Sequence, residues 1–148
     1  MNAQQQLHDL MDFRSVRLVT HTVTEQTSQA IFADTNTDLA LNPHVNQNAA
    51  KRYGFDALLV SAPELLTVVE AALHSVFGPG WLTSGEVALR FVSPVLAGTE
   101  LALTARRVED SQPGMLSVDL RMTVTGASPG AKPVCTGSAS VLPPKLHP

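Results

Sequence analysis

The 148-residue chain has one cysteine, Cys135. That excludes an internal disulfide and any cysteine-based metal cluster, and it fits a reducing compartment. Cys135 falls inside a strand-like pattern and reads as a small core residue rather than a nucleophile. Aromatic residues are few, charged residues of both signs are scattered, and no basic run or basic-aromatic patch occurs. With a net charge of -3, nothing here draws a nucleic acid. No stretch approaches the roughly 18 apolar residues of a membrane span. The opening Met1 to Leu10 lacks the basic and apolar regions of a secretory leader. A cytoplasmic protein with no membrane partner is the expectation. His8, His21, His74 and His147 form no His-x-x-x-His pair, so no metal is expected. Dinucleotide-binding, phosphate-loop and nucleophile-elbow glycine patterns are also missing.

What is present organises around Ser61 to Phe77. Glu64, Thr67, Glu70 and His74 recur three or four apart, while Leu65, Leu66, Val68, Val69, Ala72, Leu73, Val76 and Phe77 occupy most of the remaining circumference. The spacing predicts a helix that needs apolar cover on several sides. Ser61 followed by Glu64 is a capping-box pattern, Pro63 suits the first turn, and Gly78-Pro79-Gly80 should stop the helix.

Five segments have strand character: Arg14 to Val23, Glu86 to Val92, Thr99 to Val108, Met115 to Thr125 and Val134 to Leu142. The fourth alternates most cleanly, with Leu116, Val118, Leu120, Met122 and Val124 opposed by Ser117, Asp119, Arg121 and Thr123. The last has small residues on both faces. Strands that follow one another through turns should pair antiparallel. A second, shorter helix is expected from Thr24 to about Thr35, and Asn36 to Asn48 should be a loop, with one helical turn over Ala49 to Tyr53. The reading is a single α+β domain spanning 1–148, an antiparallel β-sheet wrapped around one long central helix.

Two places could carry chemistry. The loop from Thr37 to Asn46 gathers Asp38, Asn42, His44 and Asn46. A carboxylate and an imidazole on one loop can hold and deprotonate a water, although a loop of Asx turns with a surface histidine is the simpler reading. The second place is the start of the central helix, where amides near Ser61, Ala62 and Pro63 and the helix dipole favour a developing negative charge. There the simpler reading is that Ser61 and Glu64 only cap each other. His74 near the helix end reads as a residue favoured by the C-terminal dipole.

The order of these features resembles the MaoC-like acyl dehydratases, the hot dog fold proteins that include the R-specific enoyl-CoA hydratases. Thr37-Asp38, Asn42-Pro43-His44-Val45-Asn46, Ala50 and Gly54-Phe55 are similar to that family's catalytic loop. Val23-Thr24-Glu25 with Phe32-Ala33 is similar to the helix before it. Arg90-Phe91-Val92-Ser93-Pro94-Val95 and Ala97-Gly98-Thr99-Glu100-Leu101 are similar to the signature after the central helix. The likeness covers about residues 20 to 142. The catalytic loop is divergent: Leu39-Ala40-Leu41 separates Asp38 from Asn42, Leu39 stands where the carboxylate would fall counting back from His44, and Ser61-Ala62 replaces a His-Gly.

The resemblance implies a hot dog fold and reversible hydration of an enoyl thioester on coenzyme A or an acyl carrier, a lyase reaction of fatty acid metabolism. Asp38 and His44 would activate water, Asn42 would shape the loop, and amides near Ala62 would polarise the thioester carbonyl. No cofactor is implied, because the thioester supplies the activation. The implied assembly is a homodimer or a heteromer with another hot dog subunit. Two alternatives stand beside this: a catalytically degraded acyl-binding subunit of a heteromeric dehydratase, and a hot dog thioesterase using Glu64, Asp56 or Ser61. Phe77 and Trp81, near the far end of the helix, could limit acyl length.

Overall fold

The computed structural model describes residues 15–22, 39–109 and 112–142, the first of these segments as backbone. The helix expected from Thr24 to Thr35 and the residue Asp38 lie outside them. In chain order the elements are β1 (Ser15–Thr22), a 3-10 turn (Leu39–Leu41), α1 (Gln47–Arg52), α2 (Ala62–Phe77), α3 (Pro79–Ser84), β2 (Glu86–Phe91), β3 (Glu100–Arg107), β4 (Leu116–Val124) and β5 (Cys135–Val141).

The five strands form one antiparallel sheet in the order β1-β3-β4-β5-β2. Each lies within a residue or two of its expected boundaries. Both glycine- and proline-rich loops, between β3 and β4 and between β4 and β5, connect paired neighbours as expected. The expectation that all sequential strands pair fails at β2 and β3, which occupy opposite halves of the sheet. The segment between them is held elsewhere: Val60 donates its amide to Val95 (2.8 Å), Ala97 donates to Leu58 (2.8 Å), and Leu59 bridges Leu96. Those bonds carry the chain across to the far half, and Pro94 has no amide with which to continue β2. The apolar run Leu58-Leu59-Val60 is thus a short strand-like strap with Leu58 and Val60 buried.

Period two places Leu101, Leu103 and Ala105 of β3, Leu116, Val118, Leu120 and Met122 of β4, and Cys135, Ala139 and Val141 of β5 on one face, all buried. Against them pack Leu65, Val69, Ala72, Leu73 and Phe77 of α2. Gly137 sits mid-strand in β5, where a Cβ would collide with the Ala88 carbonyl, so only glycine lets β2 and β5 approach this closely.

Two details of α2 differ from expectation. Its cover is one-sided in this chain: Ala62, Pro63, Leu66, Thr67, Ala71, His74 and Ser75 are exposed, Leu66 at 38%. Glu64, placed on the polar stripe by spacing, is buried. At the other end Gly78 adopts φ +66, which halts α2, but the chain re-enters a helix at once as α3. Trp81 of α3 is buried, its ring centroid 6.0 Å from that of Phe77.

Candidate functional site

Three segments converge at the start of α2, and each is placed by a local reason. In the first, Asn42 turns the chain after Leu39–Leu41: its amide donates to the Leu39 carbonyl (3.4 Å), and its own carbonyl receives Val45 (3.3 Å) and Asn46 (2.9 Å). The Asn42 side chain, largely buried, accepts the amide of His44 at 2.9 Å, an Asx-type turn that fixes where the imidazole begins. Asn46 caps α1, its Oδ1 accepting from the Ala49 amide at 3.0 Å, so its side chain serves the helix rather than a reaction.

The second segment is the strap at Leu59. Its amide donates to the Pro43 carbonyl (3.0 Å), and its own carbonyl lies 2.8 Å from Nδ1 of the half-buried His44 ring. A carbonyl oxygen can only accept, so Nδ1 carries a proton, and in the neutral tautomer that this bond selects the lone pair is on Nε2. Two residues beyond Leu59 the chain reaches Ser61, and α2 begins.

The third segment is the α2 N-terminus itself. Ser61, 2% exposed, accepts the Glu64 amide through Oγ (3.3 Å) and the Leu65 amide through its carbonyl (3.1 Å). Pro63 has no N–H. Of the first-turn donors the amide of Ala62 therefore remains to meet a developing oxyanion. Ala62 also lines an open cleft of about 280 Å³, with Val60, Leu65 and the run Phe91 to Val95 as its other walls. The cleft is apolar apart from Ser93, suited to an acyl chain rather than a charged group.

Of the residues expected to act, Asn42 and His44 lie against the strap at Leu59, and Ser61, Ala62 and Pro63 form the start of the helix that follows that strap. Asp38 lies outside the described residues. The Ser61 hydroxyl is engaged in capping, and Pro63 is exposed. Sequence reasoning missed the Leu59 carbonyl, because no side-chain pattern marks a backbone acceptor. The run Phe91 to Val95 was marked in the sequence only as part of the signature after the central helix; its place as a wall of the cleft comes from the structure. Among the described residues no group of three or more His, Cys, Asp or Glu could hold a metal, and no helix is long and apolar enough to cross a membrane.

No protein-family model and no curated protein sequence matches the chain. Solved structures do. The R-hydratase PhaJ1 from Pseudomonas aeruginosa superposes with a TM-score of 0.70 at 20% identity, covering 88% of this chain and 80% of that one. The ChsH1-ChsH2 complex from Mycobacterium tuberculosis gives 0.67 at 14%, covering 89% and 98%. A MaoC-like dehydratase from Rhodospirillum rubrum gives 0.65 at 17%, covering 91% and 93%. The chain has the hot dog fold of these proteins.

Proposed function

We propose that this hot dog chain is a MaoC-like acyl-thioester hydratase or dehydratase, acting in the cytoplasm on enoyl thioesters of coenzyme A or an acyl carrier. The observation that carries the reading is the bond from His44 Nδ1 to the Leu59 carbonyl. It ties an imidazole of defined tautomer to the segment running into the helix tip where a thioester oxygen would sit.

In the hydration direction Nε2 of His44 takes a proton from water as its oxygen bonds to C3 of the enoyl group. The double-bond electrons move through C2 to the thioester oxygen, where the Ala62 amide stabilises the enolate. Collapse of the enolate returns the electrons to C2, which takes the proton held on His44 Nε2, so the histidine is restored and the C2–C3 bond is left single. Asp38 is assigned the role of orienting the attacking water beside His44, and Asn42 that of holding the turn. The acyl chain lies in the cleft walled by Val60, Leu65 and Phe91 to Val95. No cofactor enters these steps. Exposed Leu66 and Ala71 on α2 and the open edge of β2 support a dimer in which a second hot dog subunit covers both.

Loss of absorbance of a short trans-2-enoyl-CoA on adding the protein tests this, with Asp38→Asn and His44→Ala as controls. Turnover that survives both substitutions would refute the assignment.

One observation favours a second reading, a catalytically degraded acyl-binding subunit. Leu39, which takes the carboxylate position by spacing from His44, is 43% exposed in its 3-10 turn. In that case hydration appears only when a second hot dog protein is co-purified. A thioesterase would instead release free thiol without consuming the double bond.

A further inference from the structure

The side of the sheet turned away from α2 has its own chemistry. On β4, Asp119 and Arg121 alternate with the buried Leu120 and Met122, and the register carries that outward face across the sheet. Arg90, Thr136, Arg121 and Thr104 form one cross-strand row over β2, β5, β4 and β3, and Ala88, Ser138, Asp119 and Arg106 form the next. The small side chains of Ala88, Ser138 and Thr136 make a low floor, and the longer arginines make the walls. The result is an open concavity of about 820 Å³.

Three guanidiniums line it against one carboxylate, in a chain whose net charge is -3. Arg106 and Asp119 neutralise each other through a 2.9 Å ion pair. Arg121 is steadied by a 3.0 Å bond to the Ala131 carbonyl, which fixes its position, and it forms no ion pair with any described carboxylate. Arg90 forms no ion pair with any described residue. Arg90 and Arg121 are two strands apart, about 10 Å between backbones, with the Thr136 hydroxyl between them. Two planar donors at that span, with a hydroxyl in the middle, match neighbouring phosphoryl groups.

We propose that this concavity binds a small molecule carrying paired phosphoryl groups, gripped by Arg90 and Arg121 with Thr136 between them. The site is separate from the cleft beside Ala62 and from His44, and it does not depend on the hydratase reading. Two sources share this chemistry: a free phosphorylated metabolite, and the nucleotide handle of coenzyme A.

Calorimetric titration of the full chain at low ionic strength, with pyrophosphate and separately with coenzyme A, tests the proposal. Pyrophosphate should bind, and Arg90→Gln and Arg121→Gln should each weaken it roughly tenfold while leaving the melting temperature unchanged. Asp119→Asn, which releases Arg106, should tighten it. A parallel loss of coenzyme A binding in the two glutamine variants assigns the site to the nucleotide handle; unchanged coenzyme A binding assigns it to a free metabolite. Absence of pyrophosphate binding, as when a second copy of the chain covers this face, overturns the proposal. Equal affinity in parent and glutamine variants, or weaker binding by Asp119→Asn, does the same.

Discussion

His44 is tethered to Leu59 by a 2.8 Å bond from Nδ1 to a backbone carbonyl, so the ring is oriented by main chain that no substitution at position 59 can remove. His44→Gln can still donate to that carbonyl but offers no base. It should melt with the parent and lose enoyl-thioester hydration by roughly 100-fold or more. Equal loss of melting temperature and activity would make the histidine structural.

Ser61 and Glu64 predict a helix-cap effect. The buried Ser61 hydroxyl receives the Glu64 amide, and nothing else in the first turn replaces it. Ser61→Ala should cost about 0.5–2 kcal/mol in urea unfolding, while Ser61→Thr, which keeps the hydroxyl, should cost less. An unchanged midpoint in the alanine variant would show that the cap is dispensable.

Leu73 is fully buried between α2 and the sheet. Leu73→Ala should destabilise by about 2–5 kcal/mol, the range for emptying a packed leucine site. Leu66→Ala, on the exposed side of the same helix, should be nearly neutral in a monomer. A large loss there would report a buried subunit interface, and sedimentation would show it.

The indole Nε1 of buried Trp81 donates to Glu70 Oε2 at 2.6 Å, fastening α3 to α2. Glu70→Ala leaves that N–H without its acceptor and should cost about 1–3 kcal/mol. Tryptophan fluorescence follows the same event, because water then reaches the ring. No spectral shift would mean that another acceptor takes over.

Burial raises the Cys135 thiol above its ordinary value of 9.0. The folded state therefore favours the protonated thiol, and the unfolded chain ionises first as pH rises. That contribution is complete below the unfolded value and is lost as pH climbs from 9 through the folded value. Stability should decline over this range, less steeply in Cys135→Ala, and a thiol reagent should label Cys135 only on unfolding.

Element identity was legible because its signals are local. Alternation along Met115 to Thr125 and the Ser61/Glu64 and Gly78 punctuation depend on neighbours a few residues away, and all mark elements that formed. Strand order was less legible: whether β2 meets β3 depends on the strap Leu58 to Val60, some thirty residues upstream, capturing Val95 and Ala97. The buried state of Glu64 was illegible for a related reason, since its helix position is polar by period and only the packed elements around it remove water. At the site, side chains such as Asn42 and His44 could be picked out from the sequence. Their anchor, the Leu59 carbonyl, could not, because every residue has one.

The sheet order has a consequence for synthesis on the ribosome. β2 is made before β3 and β4, but the described strand it pairs with, β5, follows both of them in the chain. Until residues 135–141 leave the exit tunnel, Val87 and Leu89 of β2 have no neighbour to zip onto, and a nascent chain stalled short of Cys135 would expose a sticky, half-built edge to every copy on the same polysome. β5 acts as a clasp, and until it closes both edges of β2 are open to another chain.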